Sequence, residues 1–512
     1  MNAFLDALGR VPPLLAQHVL LAMAALALAV AIAAPLAIVS ARRPRVARIA
    51  LGFASLIQTI PSLALLALFF PALLSLSALV GGGIPALGFL PSLLALTLYA
   101  LLPLLRNAVA GLNGIDPAVV EAADAVGMTP WQKLRLVEAP LAAPVAIAGL
   151  RTAAVWTIGA ATLSTTVGQP SLGDLIFAGL QTQSWALVLA GCVAAAALAL
   201  AVDAGIGLVE RGIATRRRPV WLGALVTLAI GLIAATAPAW PRGGDGPVVV
   251  VGAKNFGEQY ILARLIGQRL ERAGYRVEYR DGLGSAVIFG AVASGTIDVY
   301  VDYAGTIWSN EMHRRDVPAR PAMLAAIADW ARTTHRVRLL APLGFENAYA
   351  FAMPERVAAQ RRIATLDDLA AQSPRLRLGS DLEFLERPEW AAVRRAYPMR
   401  FAATTPYSPT FMYRALGSGR VDAITAFSSD GRIAAERLRV LADPRRAIPG
   451  YDAILLLAPD RAADARFTAA LRPLAGKIDV ATMRQANYRV DRDADKETPE
   501  QAATWLAKQL GL

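Results

Sequence analysis

The chain has 512 residues, of which 55% are hydrophobic and only 18% charged, with a net charge of +12. Soluble proteins usually carry about 25% charged residues, so this composition favours a protein with a membrane part. The single cysteine, Cys192, and three scattered histidines exclude a disulfide framework and a Cys- or His-based metal site, and the dispersed basic excess argues against nucleic-acid binding.

The charges are divided unevenly along the chain. Residues 1–241 contain 13 Lys and Arg and 8 Asp and Glu, whereas residues 242–512 contain 38 and 31. A bilayer core needs about 20 apolar residues per helix. We predict six spans, at roughly 18–40, 49–72, 84–106, 141–166, 185–209 and 219–239. The Gly- and Pro-rich stretch 71–90 predicts an outside loop with partial membrane burial.

Basic residues in the loops give an orientation. They follow the first, third and fifth predicted spans, at Arg42–Arg48, Lys133–Arg135 and Arg216–Arg218. The positive-inside rule places these loops in the cytoplasm, and the N-terminus and everything after residue 240 outside. The run 219–239 could be a membrane anchor or a cleaved internal signal, and its neighbouring prolines favour the anchor.

The polar loop 107–140 has helix-start signals at two places. Asp116 can cap a helix whose first residue is Pro117, and a second helix can start at Thr129-Pro130, after Gly127. We predict a helix–turn–helix at the membrane surface. From the residues alone it could be an ordinary amphipathic connector or a docking surface for another protein.

The same loop resembles the EAA loop of ABC importer permeases. The matching residues are Glu121-Ala122-Ala123, Gly127 and Val137-Glu138-Ala139-Pro140, with Val137 and Ala139 where the family prefers Ile and Leu. Further motifs of the quaternary-amine uptake permeases occur at 58–64, 99–103, 106–107, 149–153 and 173–174, so the resemblance covers about 15–212.

That resemblance implies a partner. Glu121, Ala122, Ala123, Gly127 and Pro140 would couple to a separate ABC ATPase subunit. The chain has no G-x-x-x-x-G-K-[ST] phosphate loop, so ATP would be used by that subunit in trans, and this chain would bind no cofactor.

From Val248 onward, short apolar strands alternate with amphipathic helices. Strands are predicted at 248–252, 276–279 and 297–301, and helices at 257–273 and 286–294. This alternation is typical of α/β domains with largely parallel sheets. The length favours two lobes that close on a small solute like a hinged clamp.

We therefore predict an N-terminal all-α polytopic membrane domain followed by a two-lobed α/β domain. The boundaries are 1–212 for the permease, with its coupling loop at 107–140, 213–247 for an extra transmembrane helix and linker, and 248–512 for the solute-binding domain. Lobe one is 248–343 with 454–512, lobe two is 353–424, and the chain crosses between them at 344–352 and 425–453. The resemblances imply a type I-like permease and a type II-like periplasmic binding protein.

Several motifs of the second half are similar to binding proteins for glycine betaine, choline and carnitine. They lie at 254–259, 302–306, 347–351, 383–388, 412–416, 426–433 and 451–453. Gly257 stands where the family often has Thr, so one hydroxyl contact to the ligand is expected to be missing.

A trimethylammonium group cannot donate an N–H hydrogen bond, so aromatic faces must recognise it by cation–π attraction. Tyr303 and Tyr349 are our leading candidates; alternatively, each tyrosine only packs its ring and hydrogen-bonds through its hydroxyl. Weaker candidates are Phe256, Phe384, Tyr407 and Tyr413.

The ligand's other end is expected to be a carboxylate. It could be held by the N-terminus of helix 257–273 and by polar groups of Asn255, Gln259 and Thr306. Arg387 could form a fork to it or a structural salt bridge. Ser428 could contact the ligand or hold the lobes closed.

The sequence predicts a fused permease and binding subunit of an ABC importer in the cytoplasmic membrane, homodimeric through its membrane part. No catalytic motif such as G-x-S-x-G or H-E-x-x-H occurs, which favours a transporter subunit over an enzyme. The resemblance implies glycine betaine, choline or carnitine as substrate. Ergothioneine is the alternative; a ligand-binding receptor or channel is less favoured.

Overall fold

The computed structural model describes residues 2–81, 83–181, 184–237, 246–407, 409–492 and 495–512. The chain forms two compact units, one comprising 1–179 and 185–243 and the other 244–512 together with the short segment 180–184. Each unit is described by itself below.

The first unit is helical throughout. Its helices are α1 (Asn2–Gly9), α2 (Val11–Arg42), α3 (Pro44–Thr59), α4 (Ser62–Leu79), α5 (Phe89–Asn113), α6 (Pro117–Ala125), α7 (Pro130–Lys133), α8 (Ala139–Ala161), α9 (Gly173–Gln181), α10 (Trp185–Ala214) and α11 (Arg218–Thr236). A π turn at Leu134–Glu138 joins α7 to α8, and a 3₁₀ turn at Thr162–Val167 follows α8.

Five helical stretches of the described residues are long and apolar enough to cross a membrane: Val11–Arg42, Phe89–Asn113, Pro130–Val167, Trp185–Ala214 and Arg218–Thr236. They overlap five of the six predicted spans.

The predicted span 49–72 is wrong as a single helix. The chain bends by 102° between α3 and α4. Ile60, which precedes Pro61, has extended dihedrals (φ −77°, ψ 125°) because the proline ring disfavours helical geometry in the preceding residue. The expected loop 71–90 is also partly wrong, since α4 continues through Pro71 to Leu79.

The predicted coupling loop, 107–140, has the expected helix starts. The Asp116 carboxylate accepts a hydrogen bond from the Ala118 amide, and Thr129 forms a capping box with Gln132. Gly127 makes the turn between them with φ +76°, where glycine is favoured. The second helix does not end at the surface: it runs through α7 and α8 without interruption into the span ending at Val167.

Helix α5 packs between α2 and α8, and close backbone approach depends on a glycine. A Cβ atom at Gly149 of α8 would lie 2.6 Å from Asn107 Cβ and 2.7 Å from the carbonyl oxygen of Pro103, both on α5. An ion cluster joins α8 to α10, where Arg151 donates to Asp203 and Glu210 at 2.9 Å. Charged groups at membrane depth are costly unless paired in this way.

The second unit contains two five-stranded sheets. Strands β1 (Val248–Lys254), β2 (Arg276–Leu283), β3 (Val299–Tyr303), β4 (Arg338–Glu346) and β10 (Asp452–Leu457) form the first, in the order β2-β1-β3-β10-β4. Strands β5 (Tyr349–Pro354), β6 (Arg377–Asp381), β7 (Ala403–Tyr407), β8 (Ala423–Phe427) and β9 (Leu438–Val440) form the second, in the order β7-β6-β8-β5-β9.

Helices cover these sheets. They are α12 (Gly257–Arg272), α13 (Ser285–Ala293), α14 (Ala304–Thr306), α15 (Arg320–His335), α16 (Glu355–Arg361), α17 (Leu366–Gln372), α18 (Leu382–Glu386), α19 (Pro388–Ala396), α20 (Pro409–Gly417), α21 (Arg432–Ala435), α22 (Pro459–Ala462), α23 (Ala465–Leu471), α24 (Val480–Asp491) and α25 (Pro499–Gln509).

The sheets are mixed, which corrects the expectation of largely parallel sheets. Strand β1 pairs in parallel with β2 and β3 in the first sheet, and β6 pairs in parallel with β7 and β8 in the second. Next to the lobe changes, β10 pairs antiparallel with β3 and β4, and β5 pairs antiparallel with β8 and β9. Antiparallel strands arise because the chain leaves one sheet for the other and later returns. It crosses at 347–348 and at 441–451, so lobe two extends beyond the predicted 353–424 to include β5 and β9.

Gly149→Ala should destabilise the first unit by roughly 1–3 kcal/mol, because the added methyl group forces α5 and α8 apart. Gly159, also on α8, is the matched control: a Cβ there meets nothing within 4 Å. Gly159→Ala should leave stability unchanged or raise it by up to about 1 kcal/mol. Thermal unfolding of the purified chain in detergent measures both. Equal melting temperatures for the two variants would show that the α5–α8 contact does not limit stability.

Candidate ligand-binding site

The second unit encloses a cavity of about 340 Å³ between its two lobes. Its walls come from the ends of β1 and β3, the start of α12, the chain crossings and α24. The lining residues are Lys254, Asn255, Phe256, Gly257, Glu258, Ser285, Tyr303, Thr306, Asn347, Tyr349, Asp381, Arg387, Tyr407, Phe427, Ser429, Asp430, Arg432, Tyr451, Asn487 and Asp491.

Lobe one contributes Tyr303, the last residue of β3. Its hydroxyl donates to Glu258 Oε1 (2.6 Å) and accepts from Gln259 Nε2 (3.0 Å). Phe256 stacks beside it, with ring centroids 6.1 Å apart. Tyr303 is only 4% exposed, so these bonds fix its ring against the cavity.

Three aromatic residues close to the crossings, here called the crossing aromatics, form a second wall: Tyr349, Phe427 and Tyr451. The ring centroid of Tyr349 lies 4.9 Å from that of Phe427 and 5.9 Å from that of Tyr451, the latter ring at 89° to it. Tyr349 pairs directly with Phe427 in the β5–β8 register. Such a cluster presents several ring faces to one small volume.

Each basic side chain in the wall has an acidic partner. The Lys254 ammonium pairs with Asp302, Arg387 Nε lies 3.3 Å from Glu389 Oε2, and Arg432 lies 3.7 Å from Asp491. Arg387 is predicted either to bind a ligand carboxylate or to form a structural salt bridge. The structure shows the salt bridge, with the neighbouring Glu389.

Glu389 also connects the lobes. Its Oε1 accepts a hydrogen bond from Ser309 of lobe one at 3.2 Å and another from the hydroxyl of Tyr451. The two lobes are therefore in contact beside the cavity.

Six of the eight predicted ligand-binding residues line the cavity: Asn255, Phe256, Tyr303, Thr306, Tyr349 and Arg387. Gln259 and Ser428 lie behind its wall. Gln259 holds the Tyr303 hydroxyl, whereas Ser428 Oγ accepts from the Ala348 amide (2.9 Å) and donates to the Glu346 carbonyl (3.1 Å).

The weaker aromatic candidates differ in their position relative to the cavity. Tyr407 lines the cavity. Phe384 packs behind Tyr349 at 4.6 Å, and Tyr413 belongs to the core of lobe two. Tyr303 lines the cavity, and its ring and hydroxyl both contact protein neighbours, so its packing is shown and its contact with a ligand stays a prediction.

The sequence predicts that the start of α12 binds a ligand carboxylate, but carboxylates of the protein itself lie there. Glu258 is buried in the first turn, and Asp491 Oδ1 would lie 3.7 Å from a Cβ placed at Gly257. Two protein carboxylates therefore stand where a ligand carboxylate was expected.

Sequence reasoning missed Glu258, Asn347, Phe427, Tyr451, Asn487 and Asp491. Phe427 ends a buried strand and Tyr451 precedes one, the same signal that pointed to Tyr303. Nothing comparable marks Asn487 and Asp491, because α24 reaches the cavity from the far end of the chain.

Fold and site together define a membrane permease unit joined to a two-lobed solute-binding unit. Residues 247–508 match the family described as the substrate-binding domain of ABC-type glycine betaine transport systems, and residues 12–215 match the inner membrane component of binding-protein-dependent transport systems. The chain belongs to the glycine betaine, choline and carnitine ABC importer family, as a multi-pass permease fused to its binding domain.

Relatives share one or both parts. The ergothioneine transport permease/ergothioneine binding protein EgtU of Helicobacter pylori is 28% identical over 474 residues, covering 89% of this chain and 82% of that protein. The choline transport permease OpuBB of Bacillus subtilis is 38% identical over 195 residues, 38% of this chain and 84% of that one. A solved glycine betaine/carnitine/choline ABC transporter structure aligns at 24% identity with a TM-score of 0.46, covering 51% of this chain and 98% of that chain.

The packing of α24 should depend on pH through Asp491. Burial raises the pKa of Asp491 to about 7, although nearby Arg432 lowers it. A carboxyl group with a raised folded-state pKa contributes stability below its unfolded pKa and loses it as pH rises toward 7. The free energy of opening α24 should therefore fall by roughly 3–4 kcal/mol between pH 4 and pH 8. Hydrogen exchange of residues 480–491, corrected for intrinsic rates, measures it.

The matched variant is Asp491→Asn, which keeps the shape and cannot ionise. Its protection should lose most of this pH dependence, and what is left would come from other buried acids such as Glu258, which accepts a hydrogen bond from Asn487 of α24. An Asn variant with the same pH dependence as the wild type would assign the effect to another group.

Proposed function

We propose that this protein imports a small compound with a trimethylammonium head. The observation that carries the proposal is the set of aromatic faces around one cavity: Tyr303 on one side and the crossing aromatics on the other. Each ring face over a cation contributes about 0.5–2 kcal/mol, more when water is excluded.

The charges around the cavity support a cationic ligand. Four acidic residues line it, Glu258, Asp381, Asp430 and Asp491, against three basic residues. Those three basic side chains are paired with carboxylates. A ligand with net negative charge would find no unpaired cation among these three.

Glycine betaine, choline and carnitine are the first candidate substrates, as the family match suggests. Ergothioneine, a betaine of histidine, is the second. It is favoured by the relative whose similarity extends over both units and whose name states ergothioneine transport.

Uptake requires an energy source, which we propose is an ABC ATPase subunit bound at the coupling loop, 107–140. Val126, Trp131 and Leu136 of this segment are 73%, 68% and 62% exposed, an apolar surface suited to a protein partner. Glu121, Ala122, Gly127 and Pro140 are exposed beside it, and Ala123 is buried beneath. On this proposal the chain itself is no enzyme and binds no cofactor or nucleic acid.

We also propose a homodimer in the cytoplasmic membrane, since one chain supplies one permease half. With the bent pair α3–α4 counted as one crossing, the basic segments after α2, after α5 and after α10 lie on one side. The positive-inside rule makes that side cytoplasmic and places the binding unit outside, tethered by α11.

Calorimetric titration of the full chain, purified in a maltoside detergent without choline headgroups, tests the ligand class. Glycine betaine, choline, carnitine or ergothioneine should bind with micromolar or lower Kd. Tyr349→Leu should raise the Kd of the ligand by about 2- to 30-fold, because one ring face worth about 0.5–2 kcal/mol is lost. Absence of binding by all four compounds would refute the proposed function.

Trp131→Asp should abolish ATP-driven uptake in proteoliposomes with the ATPase while leaving ligand Kd unchanged, because the charge is placed in the apolar docking surface. Trp131→Phe, which keeps an apolar ring, is the control and should retain uptake. Full uptake by the Asp variant would place the ATPase contact elsewhere.

A further inference from the structure

The cavity wall contains a buried acid at the start of α12. Glu258, the second residue of α12, is 5% exposed. Its Oε1 accepts from the Tyr303 hydroxyl (2.6 Å) and from Asn347 Nδ2 (3.1 Å), and its Oε2 accepts from Asn487 Nδ2 (2.8 Å). All three donors are neutral groups.

No Lys, Arg or His of the described chain lies within ion-pair distance of this carboxylate. The three basic residues of the same wall bind other acids: Lys254 pairs with Asp302, Arg387 with Glu389 and Arg432 with Asp491. Glu258 therefore differs from Asp302, Glu389 and Asp491, each of which has a basic partner, in having hydrogen bonds but no counter-ion.

Burying a carboxylate without a counter-ion is unfavourable. Burial accordingly raises the pKa of Glu258, and hydrogen bonds from its neighbours lower it only in part. A cation that enters the cavity without displacing these hydrogen bonds would relieve that cost. A trimethylammonium group suits this arrangement, because it carries charge but needs no acceptor of its own.

We infer that Glu258 supplies the negative charge that selects a cationic head over a neutral group of the same shape. The inference rests on the proposed function and deepens it. The aromatic rings alone recognise shape, apolar surface and a diffuse positive charge, whereas the Glu258 carboxylate, only 5% exposed, adds a localised negative charge to the wall.

Glu258 also supports Tyr303. A hydroxyl that donates to a carboxylate becomes more electron-rich, which strengthens the attraction of the ring for a cation. Lys254 Nζ lies 5.6 Å from the centre of the same ring, but its charge is paired with Asp302.

The rival role for Glu258 is structural, because its hydrogen bonds join α12 to the first crossing and to α24. The two roles make different predictions. A structural role affects every ligand equally, whereas a counter-ion affects charged ligands alone.

The test uses the full chain in maltoside detergent and two pairs of ligands that differ only by nitrogen or carbon at the head. They are choline with 3,3-dimethylbutan-1-ol and glycine betaine with 3,3-dimethylbutanoate. The ratio of Kd values within a pair measures charge selectivity, with shape held constant. Glu258→Gln keeps the size and an acceptor oxygen but removes the charge.

We expect the wild type to prefer the nitrogen compound of the pair that binds, and Glu258→Gln to reduce this preference about tenfold or more. Affinity for the carbon compound should change less than about twofold. Glu311→Gln is the matched control: Glu311 is a partly buried acid of the same lobe that does not line the cavity, and its replacement should leave the ratio unchanged.

Each other outcome overturns the inference. A parallel loss for both members of a pair in Glu258→Gln would assign Glu258 a structural role. An unchanged ratio would place the selecting charge elsewhere. A wild type that binds trimethylammonium compounds but does not distinguish them from carbon compounds refutes this inference alone, whereas a wild type that binds none of them refutes the proposed function as well.

Discussion

Hydrogen bonds across the chain crossings hold the binding unit together at the point where its lobes meet. Ser428 binds both sides of the first crossing through Ala348 and Glu346, and the Asn347 amide donates to the Tyr451 carbonyl at 2.9 Å. The crossing aromatics lie on these same segments. The geometry of the cavity is therefore set by the same segments that connect the two lobes.

Local patterns in the sequence predicted the alternating strands and helices and two of the main aromatic residues. Tyr303 and Tyr349 could be predicted from the sequence because each lies at the end of a buried strand. The mixed pairing of the sheets could not be predicted, because strand direction depends on where the chain changes lobes. Glu258 and Asn487 are 229 positions apart, and no periodicity in either helix indicates that the two side chains meet.

In the membrane unit, too, composition predicts the elements but not their geometry. The length of each apolar run predicts a span, but it does not indicate the direction of the helix axis, so the bend at Pro61 could not be predicted. The helix starts at Asp116 and Thr129 were predicted because capping is a property of three or four neighbouring residues. Close packing at Gly149 depends on Asn107 and Pro103 of another helix, which the sequence does not place beside it.

The continuous helix from Pro130 to Val167 has a mechanical consequence. Its 38 residues, which include the π turn at Leu134–Glu138 and the 3₁₀ turn at Thr162–Val167, measure roughly 57 Å, longer than the roughly 30 Å core of a bilayer. A tilt of about 5° about one end would move the other by about 5 Å, comparable with one helical turn. A small tilt at the polar end of this helix would thus become a displacement of several ångströms at its opposite end.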